Sequence, residues 1–172
     1  MANQWYGKAL ESFAGGGINW GSDTIKCLLA TNGYTPSINS DQYVTDVSSG
    51  NIVARSSALS SKSATLGVLD AADITISSVT GSQCPYLIVY KDSGTDSSSP
   101  LLVKIDTGTG LPITPNGGDI AIQWDSGVNK IAALFEGLRD RLVEVAWPAE
   151  ARRQVIRARL PRLLFAVRIA RA

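Results

Sequence analysis

Seven aspartates stand where carboxylates could work in pairs: Asp70 with Asp73, Asp92 with Asp96, and then Asp106, Asp119 and Asp125. Two such groups in one cleft could hydrolyse a glycoside or hold calcium. The run Asp92-Ser93-Gly94-Thr95-Asp96 is loosely calcium-like. It lacks the spacing and the bidentate glutamate of an EF-hand loop. All seven fall at strand ends or in turns, where aspartate serves the backbone, and turn duty is the better account. The chain has no histidine. That removes the commonest general base and the commonest nitrogen ligand for a transition metal. No serine nucleophile therefore has a histidine partner, and no Ser–Lys spacing suits a dyad. Cys27 and Cys84 lie in apolar strand candidates and read as small buried thiols. A disulfide between them stays open, without a spacing signature. Gly108, Gly110, Gly117 and Gly118 do not connect a strand to a helix, so they form turns and not a phosphate cradle. No catalytic residue, cofactor or metal is expected.

The elements that would position these residues are mostly strands. Cys84–Lys91 is a short, nearly continuous apolar run, as in a central strand buried on both faces. Asp92–Pro100 reads as an exposed hairpin loop. Leu101, Val103 and Ile105 alternate with Leu102, Lys104 and Asp106. Asn116-Gly117 signals a reversal. Ile120, Ile122 and Trp124 then face one way, and Ala121, Gln123 and Asp125 the other. Upstream, Trp5, Tyr6, Ala9, Leu10 and Phe13 make one helical stripe over Asn3–Ala14, stopped by Gly15-Gly16-Gly17. The segments 24–31, 51–59, 64–69 and 74–79 read as further strands, each bounded by turn residues. Ser40–Val47 suits either a short helix or an irregular segment. Strands at this spacing are the habit of a sandwich or jelly roll. The expected fold is mainly β: an antiparallel β-sandwich, jelly-roll or Ig-like, with an N-terminal helix and a C-terminal helical arm.

The expected domain boundary lies at residue 130. Residues 1–130 carry six Lys, one Arg and eleven acidic residues, a net charge of −4. Residues 131–172 carry nine Arg, no Lys and four acidic residues, a net +5. There the period turns helical: Leu134, Leu138, Leu142 and Val145 share a face, and Pro148 and Pro161 interrupt. Arg152, Arg153, Arg157 and Arg159 surround a thin apolar stripe. Such a segment could meet nucleic-acid phosphate, an anionic membrane or a protein neighbour. The protein neighbour is favoured, because the body carries the opposite charge. Neither nucleic acid nor a membrane is expected as partner. The N-terminus lacks the pattern of a secretory signal, and no run of 18 uncharged apolar residues suggests a spanning helix.

Four stretches carry a resemblance: WYGKALESFAGGGINW, DTIKCLLATNGYTP, GVLDAADITISSVTG and LIVYKDSGTDSSSPLLVKIDTGTGLPITPNGGDIAIQWDSGVNKI. Across roughly residues 1–131 the chain resembles a family of small virion proteins of tailed bacteriophages. The last block is the most specific, since its strands and loops match in order. The Arg-rich extension departs from the family pattern. The resemblance implies a non-enzymatic structural role in the particle, either capsid decoration (cement) or a tail-associated piece. It also implies location in the virion after assembly in the host cytoplasm. The partners expected are the major capsid protein or other virion proteins, and further copies of the chain, a trimer being favoured. The contact surfaces expected are Trp5, Tyr6 and Phe13 at the N-terminus, and Leu134, Leu138, Leu142, Arg152, Arg153 and Arg157 on the arm. Two alternatives remain. One is a tail or fibre-attachment component anchored by the arm. The other is a carbohydrate-binding module using Trp20 or Trp124 with nearby aspartates.

Overall fold

The computed structural model describes residues 3–127 and 130–134. It is mainly β, with three antiparallel sheets and one short N-terminal helix. The strands are β1 (Gln4–Trp5), β2 (Ile25–Ala30), β3 (Ile52–Arg55), β4 (Ser63–Thr65), β5 (Val68–Asp70), β6 (Ile74–Ile76), β7 (Tyr86–Lys91), β8 (Leu101–Ile105), β9 (Ile120–Ile122) and β10 (Ala132–Ala133). Helix α1 spans Gly7–Ala14. The sheets run β1-β8-β7-β2-β3, β10-β5-β4 and β6-β9.

The apolar run around residue 88 forms β7, the middle strand of the five, with Leu87 to Tyr90 buried. Its neighbours β2 and β8 are nearly as buried. Pairing lines up two cross-strand rows. Leu29, Leu87 and Ile105 form one, and Leu28, Ile88 and Lys104 the other. The pleat sends adjacent rows to opposite faces. Both faces are covered, which is why strict alternation of polar and apolar residues fails here. The expected hairpin over Asp92–Pro100 joins β7 to β8 and is built from its own hydroxyls. Ser99 Oγ donates to the Thr95 carbonyl at 2.7 Å and accepts the Ser93 N–H at 3.1 Å.

Three expectations change. The helical stripe over Asn3–Ala14 breaks in two: Gln4 and Trp5 pair with Lys104 and Val103 as an edge strand, and the helix starts at Gly7. Strand hydrogen bonds to a distant segment outweigh local helix preference, which is worth well under ~1 kcal/mol per residue. The glycine stop holds. Gly16 takes φ 75°, its N–H bonds the Phe13 carbonyl, and the Gly17 N–H bonds that of Ser12, a Schellman motif. Residues 64–69 are not one strand. Leu66 and Gly67, at φ 54° and 78°, fold them into the β4–β5 hairpin. The body also continues past 130, since Ala132 and Ala133 pair with Leu69 and Val68 of β5. Residues 40–47 end in a short 3-10 turn, Val44–Val47. The expected helical arm lies beyond the described residues.

Candidate functional site

The N-terminal aromatics were expected to share one contact face. Tyr6 does not belong to it, because its side chain is fully buried. Trp5 and Tyr6 are adjacent in an extended segment, so they point to opposite sides. The Tyr6 hydroxyl lies 2.9 Å from that of Tyr34, which donates to Asp41 Oδ2 at 2.6 Å. Tyr34 has one proton to give, so Tyr6 donates to Tyr34. Burial pushes the Tyr6 phenol above its ordinary range and keeps it a neutral donor.

Trp5 and Phe13 are half-buried and meet edge to face, 5.7 Å apart at 88°. The Trp5 indole N–H donates to the Ala133 carbonyl at 3.0 Å. Leu134, half-buried, follows directly, and its N–H bonds the Gly67 carbonyl at 2.8 Å. Three of the expected contact residues therefore gather where the described chain ends, beside the β4–β5 hairpin tip. Leu138, Leu142, Arg152, Arg153 and Arg157 lie outside the described residues. The tip adds a residue that the linear reading missed. Leu66 is 69% exposed, and a glycine directly after it in an apparent strand was the signal for a turn.

The aspartates mostly perform turn and pairing duty. Asp73 accepts the Trp124 N–H, Asp119 that of Ser78, and Asp125 that of Gly127. Asp92 pairs with Lys26 at 2.6 Å. Asp96 takes both arms of Arg55 at 2.7 Å, and the guanidinium sits 5.8 Å from the centre of the Tyr90 ring. Among the described residues, no three His, Cys, Asp or Glu side chains converge on a metal-sized site. Cys27 and Cys84 are free and buried, and burial pushes the Cys27 thiol up to about 12.

Lys26 beside Asp92, and Arg55 beside Asp96, hold both carboxyls below their ordinary value of 3.8. A carboxyl depressed in the folded state stabilises it above the unfolded pKa, and that stabilisation is lost as pH falls through the folded pKa. The melting midpoint is expected to fall below about pH 4 as these pairs protonate. In Asp92→Asn/Asp96→Asn the acid limb should be shallower and the midpoint near neutrality lower. A limb identical to that of the parent would show that other carboxyls govern it.

Trp20 is buried, with its indole N–H donating to the Asp70 carbonyl at 3.1 Å. Trp124 is half-buried, and its indole N–H donates to the Ala72 carbonyl at 3.1 Å. Neither presents an open ring with a free donor, as a sugar platform would. Trp124 instead borders a cleft of about 540 Å3. Its floor is the row Leu29, Leu87 and Ile105. One wall is β9, and Lys130 and Asp125 stand among its lining residues. β9 pairs with β6 alone, so its other edge is unpaired among the described residues. Such a cleft offers apolar contact and backbone hydrogen bonds.

No family model and no curated protein matches this chain. Among the described residues, no helix is long and apolar enough to cross a membrane.

Proposed function

We propose that the chain is a non-enzymatic structural protein of the bacteriophage virion, a decoration or cement protein that binds the assembled head and stabilises it through subunit contacts. The observation that carries this is the block from Leu87 to Ile131, where the resemblance to small phage virion proteins is most specific. That block supplies two strands of the large sheet, β9 and the cleft wall, so the resemblance falls on the framework and not only on surface loops. The five-stranded sheet suits one layer of a β-sandwich. The half-buried Trp5, Phe13 and Leu134 suit a contact surface that assembly would cover. A second role, as a tail or fibre-attachment piece, is favoured by one feature: nine arginines in residues 131–172, on an extension absent from the family pattern.

The test is cosedimentation of the purified protein with isolated phage heads and with isolated tails. It should be repeated with a chain ending after Leu134, which keeps β10 and the Trp5–Ala133 hydrogen bond. The full chain is expected to saturate heads and to raise their resistance to heat. Binding to tails but not heads would favour the second role. Binding to neither would overturn both.

A further inference from the structure

Leu66 combines two unfavourable features. It exposes 69% of its surface, and it holds a left-handed backbone at φ 54°. For a residue with a β-carbon this conformation is disfavoured, and two-residue hairpin loops with both positions left-handed prefer Asn, Asp or Gly. Among the described residues, leucine there serves neither the turn nor the core. Strained backbone positions cluster at functional sites such as ligand clamps and switch regions. The strand leading to it, β4, is fully exposed and forms the outer edge of its sheet. From Ser63 to Leu69 the hairpin carries no charge.

The same chain offers a complement. The cleft has an apolar floor and, along one wall, the residues of β9, one edge of which is unpaired among the described residues. Its volume falls within the ~300–1,000 Å3 of typical binding pockets. Leu66 is not among the residues that line the cleft of its own subunit. Asp70, at the far end of β5, reaches Lys130 among the cleft-lining residues. That end lies roughly 13 Å along the strand from Leu66. β5 is paired on both sides, by β4 and β10, which keeps it straight.

We infer that the β4–β5 hairpin tip of one copy docks in the cleft of the next, with Leu66 on the apolar floor and β4 adding to the free edge of β9. Two different surfaces meet, so the contact is head-to-tail and closes into a ring where the rotation permits. It rests on the proposed role only in requiring self-association. A protein that binds heads as a monomer would sink this contact and leave that role standing. One that forms rings but binds no virion part would do the reverse.

The test is the mass of the full-length protein over a concentration series, by sedimentation. The parent chain is expected to self-associate. Leu66→Asn relieves the backbone strain and removes the apolar anchor, so at least tenfold weaker association is expected with an unchanged or higher melting midpoint. Ala121→Trp, at an exposed position of β9 lining the cleft, should also weaken association. An equimolar mixture of the two variants retains one intact tip and one intact cleft, and should give a 1:1 dimer. The contact is overturned by a parent chain that stays monomeric, by Leu66→Asn keeping the parental mass, or by a mixture that gives no dimer. It is equally overturned if removal of residues 137–172, and not Leu66→Asn, abolishes association.

Discussion

Lys104→Met is expected to destabilise the protein by about 3–5 kcal/mol, the cost of breaking a buried ion pair from one side. The Lys104 ammonium lies 2.8 Å from Asp106 Oδ2, and the two side chains are only 5% and 3% exposed. Asp106 Oδ1 is buried without a hydrogen-bond partner among the described residues. Removing the ammonium would therefore leave a buried carboxylate with neither oxygen paired through its side chain. Urea unfolding should show a lower midpoint with an unchanged slope. Replacing both members, Lys104→Met/Asp106→Leu, should recover most of the loss, because the desolvation of two charges disappears with them. A single-variant loss below about 1 kcal/mol would mean that the pair behaves like a solvated surface bridge.

Tyr6→Ala should cost a similar amount, about 3–5 kcal/mol, as large aromatic truncations in a core do. It vacates a fully buried site and removes the donor to Tyr34. Tyr6→Phe keeps the ring and should cost only about 1 kcal/mol, the net worth of one hydrogen bond. Thermal unfolding and sedimentation of both variants separate the two accounts of this residue. A core residue lowers the melting midpoint. A contact residue would weaken association and leave the midpoint in place.

These two residues also show where linear reading stops. Lys104 alternates with apolar neighbours, as a solvent-facing lysine would, yet both faces of its strand are covered. Tyr6 sits in a plausible helical stripe, yet the residues before it pair with Lys104 and Val103, about a hundred positions away. Alternation along a strand reports burial correctly only where one face meets water. The Ile120–Asp125 segment satisfies that condition, and its pattern appears as expected: Ile120 and Ile122 are buried, while Ala121, Gln123 and Asp125 are exposed.

The reversal expected at Asn116-Gly117 does not form, because residues 113–122 run on antiparallel to 74–84 without turning back. What the amino-acid sequence determined by itself is local: the antiparallel, mainly β character, the doubly buried β7, the hairpin over Asp92–Pro100 and the glycine stop after α1. Each follows from side-chain period or turn chemistry within a few residues, where the physical preference is written into neighbouring positions. What the tertiary structure decided is which segments pair across the chain. It turned Gln4–Trp5 into an edge strand, carried Ala132–Ala133 into the sheet of β5, brought Trp5, Phe13 and Leu134 together and set β9 beside the Leu29–Leu87–Ile105 row. Those outcomes depend on backbone hydrogen bonds and apolar burial between residues far apart in sequence, and no local preference encodes the identity of a distant partner.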